Sequence, residues 1–120
     1  MPRWTLALAI PTAILFADAS GTWTLSSDLL PPDLTCEFVM KDGNLSGSCA
    51  AAKVRLPISD AKESGRTLRW TVHVPADTEI STAYIFSGEL NEEGNAMAGS
   101  LILANGDIGI DKGTFTAKKR

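Results

Sequence analysis

Apolar and polar residues alternate one by one along most of the chain after residue 20. A period of two with one apolar face is typical of antiparallel strands that are buried on one side only. No stretch of this region shows the 3.6-residue period of an amphipathic helix. In the clearest segment the apolar face consists of Leu68, Trp70, Val72 and Val74. The pattern therefore predicts an all-β protein.

Turn residues divide this pattern into segments. Asp42-Gly43 and Asn105-Gly106 are typical of two-residue type I′ hairpin turns, in which both central residues need positive φ. Ser64-Gly65 and Glu93-Gly94 indicate two further turns. Together with the alternation, these signals predict eight strands, at 21–27, 34–41, 44–52, 54–60, 66–75, 80–90, 95–104 and 107–118.

The last predicted hairpin has an irregular phase. A two-residue turn at Asn105-Gly106 places Ile108 and Ile110 opposite Leu103 and Leu101, but Phe115 and Ala117 then fall on the other face. One extra residue in a strand corrects such a phase error, and glycine is common at that position. We therefore expect a β-bulge at Lys112-Gly113.

Eight consecutive short strands favour an eight-stranded antiparallel up-and-down barrel, because closure removes exposed strand edges. A two-sheet β-sandwich is the alternative. An eight-stranded barrel has an interior that side chains can just fill, or that can hold one small ligand.

The two cysteines lie symmetrically about the first hairpin turn. A turn centred on Asp42-Gly43 pairs Lys41 with Asn44 and, counting outward, Cys36 with Cys49. That pair falls on a non-hydrogen-bonded position, where side chains of neighbouring strands are closest. We predict a Cys36–Cys49 disulfide, a bond that forms in oxidising compartments.

The first residues favour the same compartment. Arg3 precedes an apolar run from Thr5 to Phe16, and Ala17-Asp18-Ala19 has the small-x-small pattern of a cleavage site. This order is typical of a secretory signal peptide. We expect residues 1–19 to be a signal peptide, 20–120 to be a single β-barrel domain, and the protein to be secreted or periplasmic, without a membrane span.

Charge argues against one class of partner. The formal net charge is −3, and the one basic cluster is the terminal Lys118-Lys119-Arg120. Nucleic-acid binding depends on neutralising phosphates with a basic surface. We therefore expect no nucleic-acid partner.

Several short motifs, in the same order along the chain, resemble those of the avidin and lipocalin families, whose small barrels are called calycins. The first strand opens with Gly21-Thr22-Trp23, as in both families, where the tryptophan closes one end of the barrel. The segments that resemble avidins elsewhere are 43–48, 68–72, 86–88 and 113–116. The resemblance implies a calycin-like barrel.

The biotin site of avidins does not carry over. Leu25 stands where avidins have an asparagine, Cys49 where they have a binding tyrosine, and Gly113 where they have an aspartate. Trp70 matches a tryptophan that lines their pocket, and Phe86 replaces another. A site that lacks these hydrogen-bonding partners cannot hold the urea group of biotin tightly. The resemblance therefore implies the fold and not biotin binding.

The sequence offers little material for catalysis or metal binding. His73, the single histidine, alternates outward from Trp70 and Val72, and a nucleophile needs a base within reach. Asn105, Asp107 and Asp111 lack the full ligand set of a calcium loop. We expect no enzyme activity, no metal and no cofactor.

We expect binding of a small apolar ligand in the barrel, and a protein-binding module such as a secreted protease inhibitor is the alternative. Asn44-Leu45-Ser46 is an N-glycosylation sequon, which is relevant in a eukaryotic host. The predicted interior is apolar and aromatic, with threonine and tyrosine hydroxyls as polar groups. The predicted ligand-binding residues are Phe38, Trp70, Thr82, Tyr84, Phe86 and Leu101.

Overall fold

The chain folds into a closed antiparallel barrel in which each strand pairs with the next and the last pairs with the first. The structure is a computed structural model that describes residues 19–74, 82–105 and 109–120. Residues 1–18 of the expected signal peptide lie outside the described residues, as do Ile80, Gly106, Asp107 and Ile108. The strands are β1 Gly21–Ser26, β2 Leu34–Lys41, β3 Asn44–Ala51, β4 Val54–Ser64, β5 Thr67–Val74, β6 Thr82–Leu90, β7 Ala96–Asn105 and β8 Ile110–Lys119.

The predicted up-and-down barrel is confirmed, and the sandwich alternative is not the fold. The first hairpin has the expected register, with Lys41 opposite Asn44 and Cys36 opposite Cys49. The predicted disulfide joins Cys36 and Cys49, and both residues are buried inside the barrel. An internal disulfide is compatible with an oxidising compartment.

The predicted bulge at Lys112-Gly113 is wrong. Strands β7 and β8 pair without interruption, with Leu101 opposite Gly113 and Leu103 opposite Asp111. The connection is longer than a two-residue turn, since the amide of Asn105 donates to the carbonyl of Gly109 at 3.0 Å. The longer connection corrects the phase before β8 begins, so the strand needs no bulge.

A bulge occurs instead in β4, which continues past its predicted end at residue 60. Ser59 pairs with Thr71, but Lys62 pairs with Arg69, so β4 has one residue more than β5 in this stretch. The extra residue breaks the alternation, which is why the pattern alone ends the strand too early.

Aromatic side chains fill the middle of the barrel. The Trp70 ring stacks on Phe86 with centroids 4.7 Å apart, and Phe38 and Phe115 meet Trp70 edge-on at 4.8 and 5.8 Å. Such pairs contribute about 0.5–1.5 kcal/mol each beyond their buried area. Gly88 leaves the space for Phe115, because a Cβ there would lie 2.8 Å from the Phe115 ring.

Candidate functional site

The two ends of the barrel differ. At the closed end lie Ala19 and the turns Asp42-Gly43 and Gly65-Arg66, and at the open end lie the 27–33 loop and the turn Ala52-Lys53. Residues 75–81 and 106–108 are outside the described residues.

Trp23 fills the closed end. Its side chain is fully buried, and its indole Nε1–H donates to the carbonyl oxygen of Ala19 at 2.8 Å. The Lys119 ammonium lies 5.8 Å from the centre of the Trp23 ring, within range of a cation–π interaction. The indole is thus covered on its face and hydrogen-bonded at its edge, as a structural plug requires.

An apolar pocket of about 240 Å³ occupies the open end. The alternation of the strands builds it, since β3, β4, β5 and β6 each contribute two residues that are two positions apart and face inward. The 27–33 loop and the start of β2 close the remaining side. The lining residues are Leu30, Pro31, Leu34, Cys49, Ala51, Val54, Leu56, Val72, Val74, Tyr84 and Phe86.

The pocket wall contains no charged side chain. Its polar group is the Tyr84 hydroxyl, and none of the described residues forms a hydrogen bond with it. In another protein, an engineered, enclosed apolar cavity of about 150 Å³ stays dry and takes up benzene or xenon. The geometry suits an apolar group the size of an aromatic ring with a few added atoms.

The six predicted ligand-binding residues divide into three groups. Tyr84 and Phe86 line the pocket. Phe38, Trp70 and Leu101 lie in the packed core. Thr82 is engaged elsewhere, because its hydroxyl donates to Oδ1 of Asn105 at 3.0 Å.

Sequence reasoning missed most of the aliphatic wall. Leu34, Val72 and Val74 belong to apolar faces that the alternation does show. Period two marks a residue as inward, but it does not say whether the space in front of that residue is filled or empty. The alternation therefore marks these residues as inward, but it identifies them as pocket residues only once it is known which end of the barrel is open.

Trp70 carries an unpaired donor. Its indole nitrogen is buried and has no hydrogen-bond partner among the described residues. A buried donor without a partner costs about 1–3 kcal/mol. Trp70 thus contrasts with Trp23, whose indole N–H is bonded.

The β3–β4 turn at the pocket mouth has strained backbone. Ala52 has φ 49° and Lys53 has φ 71°, both left-handed. At the closed end Asp42 and Gly43 adopt the same conformation with φ 54° and 81°, using residues that tolerate it. The left-handed region costs an ordinary L-residue about 1–2 kcal/mol.

Apolar side chains also stand at the rim. Val54 is 55% exposed and Ile110 is 65% exposed, and both begin strands at the open end. In the neighbouring loop Pro31 and Pro32 are exposed, whereas Leu29 packs over Gly113, where a Cβ would lie 3.0 Å from Leu29 Cδ1. The open end therefore has an apolar pocket and exposed apolar residues on the rim around it.

Other chemistry is sparse in the described part of the chain. His73 is exposed on the outside of β5. Residues 19–74, 82–105 and 109–120 contain no group of three or more histidine, cysteine or acidic side chains placed to hold a metal ion. Within the same ranges, no helix has the length and apolar character needed to cross a membrane.

Comparisons of the chain with protein families, curated proteins and solved structures found no match.

Proposed function

We propose that this protein is a non-catalytic carrier or receptor for a small apolar molecule, bound in the pocket at the open end of the barrel. The observation that carries the proposal is the apolar cavity of about 240 Å³, which lies between Phe86 and the mouth. Burial of an apolar ligand yields roughly 25 cal/mol for each Å² removed from water. A ring-sized ligand thus gains affinity without any specific polar contact.

The experiment is calorimetric titration with toluene, ethylbenzene and butylbenzene. We expect saturable binding with a negative heat-capacity change, the signature of apolar burial. Val72→Phe fills the pocket and should weaken binding at least about tenfold, since one buried side chain of this size contributes about 1.5–3 kcal/mol.

The matched control is Val39→Phe, the same substitution at a side chain that is 52% exposed on the outer face of β2. It should leave the affinity unchanged. Equal affinity of the Val72→Phe and Val39→Phe variants, or no binding by the parent protein, contradicts the proposal.

The avidin-like motifs enter the proposal only as support for a calycin-like barrel with an open calyx. Biotin is not the proposed ligand, because Leu25 is buried in the core, Cys49 is tied into the disulfide, and Gly113 lies beneath Leu29. None of these residues offers a side-chain donor or acceptor for a urea group. Calorimetry with biotin should show no tight binding, and a nanomolar dissociation constant would contradict this prediction.

A second candidate is docking of a protein at the rim, as in a secreted inhibitor. It is favoured by exposed apolar residues at the open end of the barrel: Val54, Ile110, Pro31 and Pro32. Ile110→Asp, at an exposed position outside the pocket wall, would weaken such docking and leave pocket binding intact, whereas Val72→Phe would do the reverse. The two variants therefore separate a rim function from a pocket function.

A further inference from the structure

Two oppositely charged side chains flank the pocket mouth. Asp33 directly precedes Leu34, and Lys53 directly precedes Val54, and both of those following residues line the pocket. Asp33 and Lys53 are exposed, and both have left-handed backbone, with φ 59° and 71°. The charges thus sit at the rim in a conformation that lysine rarely adopts.

The two side chains do not neutralise each other. The ion pair found among the described residues joins Arg55 to Glu37 at 2.9 Å, on the outer wall. Neither Asp33 nor Lys53 has an ion-pair or hydrogen-bond partner in the described part of the chain. A carboxylate and an ammonium are thus both available at the mouth.

Their separation is limited by the sheet. Strand β2 begins just after Asp33, and Lys53 is in the turn between β3 and β4, with Thr35 opposite Ala50 and Ala51 opposite Val54. Neighbouring strands lie about 4.8 Å apart, so the two backbone positions are roughly 5–10 Å apart. Side chains that start from backbone positions this close can reach the two opposite charges of one small head group.

We propose that the ligand is a free α-amino acid with a large apolar side chain, aromatic or branched aliphatic. The side chain occupies the pocket, the Lys53 ammonium binds the ligand carboxylate, and Asp33 binds the ligand ammonium. This proposal rests on the proposed apolar-ligand function and names its substrate class. It gives a role to the acidic and the basic residue that directly precede Leu34 and Val54 in the uncharged pocket wall.

The test compares four probes that share a phenyl ring: L-phenylalanine, phenethylamine, 3-phenylpropanoate and ethylbenzene, each titrated by calorimetry. We expect phenylalanine to bind most tightly and the loss of either charge to weaken binding about fivefold, as for an exposed ion pair. Lys53→Gln should remove the advantage of phenylalanine over phenethylamine. Asp33→Asn should remove its advantage over 3-phenylpropanoate, and asparagine tolerates the left-handed backbone.

Lys41→Gln and Asp42→Asn are the matched controls at the closed end, and both should leave all four affinities unchanged. Equal binding of the four probes overturns the amino-acid proposal while the apolar-ligand function stands. Equal affinity for phenylalanine and 3-phenylpropanoate also overturns it, because Asp33 would then have no role. If none of the four probes binds, ethylbenzene included, both the amino-acid proposal and the apolar-ligand function are overturned.

Discussion

The closed and open ends of this barrel are built from the same alternating strands but are completed differently. At the closed end Trp23 is fully buried with a bonded indole, and the hairpin turn is Asp42-Gly43. At the open end the wall encloses a cavity, and the turn is Ala52-Lys53 in the same left-handed conformation. The closed end places residues that tolerate left-handed backbone in its turn, whereas the turn beside the pocket holds Ala52 and Lys53 in that strained conformation. Such strain is frequent at functional sites.

We expect side chains at the closed end to contribute more to the free energy of unfolding than side chains at the open end. Trp23→Ala should lower the free energy of unfolding by about 3–5 kcal/mol, the usual cost of removing a buried tryptophan. Tyr84→Ala, at the half-buried pocket wall, should cost only about half as much or less. Urea denaturation of both variants is the measurement. Equal losses in the free energy of unfolding would contradict a difference in stability between the two ends.

A larger side chain should destabilise the closed end more than the open end. Leu68 has no exposed surface, so Leu68→Phe overpacks the core and should cost about 1–3 kcal/mol. Val72→Phe enters the empty pocket and should change stability by less than about 1 kcal/mol. A large loss for Val72→Phe in thermal and urea unfolding would mean that the cavity is absent in solution.

The two tryptophans should respond differently to replacement by phenylalanine. Trp23→Phe removes a hydrogen bond, whereas Trp70→Phe removes a buried donor that has no partner among the described residues. We expect Trp23→Phe to be the more destabilising by about 1–2 kcal/mol. The expected cleavage after Ala19 would remove the acceptor of the Trp23 hydrogen bond, so urea denaturation is measured on chains that retain Ala19. The reverse order of the two losses would contradict the prediction.

Exchanging the turns should give the smallest effect. Ala52→Asn with Lys53→Gly supplies the residues that a type I′ turn favours and should stabilise the barrel by about 1 kcal/mol. Asp42→Ala with Gly43→Lys should destabilise it by a similar amount. The first pair should also lower the affinity for phenylalanine relative to ethylbenzene, because it removes the Lys53 ammonium, and an unchanged relative affinity would contradict the role proposed for Lys53.

The barrel and its disulfide could be predicted because they depend on local spacing. Alternation assigns the inward face, and the Asp42-Gly43 turn fixes the register that brings Cys36 to Cys49. The failures are at places where the chain has more residues than the alternation and the turn residues predict. The β4 bulge includes Asp60 at φ 49°, and the connection after Asn105 is longer than its Asn-Gly pair suggests.

Most of the pocket wall could not be predicted, for a different reason. Tyr84 and Phe86 were identified because aromatic inward residues stand out, while Val72 and Leu34 look like ordinary core positions. Whether a barrel interior is filled depends on how all inward side chains pack in three dimensions. Phe38 and Trp70 fill the middle of the barrel, and the space above them remains.

The open pocket is tested most directly by locating where a small apolar probe binds, through the side-chain methyl resonances during titration with benzene or xenon. We expect saturable shifts at Leu34, Leu56, Val72 and Val74 around the pocket, and none at Leu45, Leu68 or Leu90 in the closed half. No shift at any methyl group, or shifts of equal size in both halves, would contradict an open pocket above a solid core.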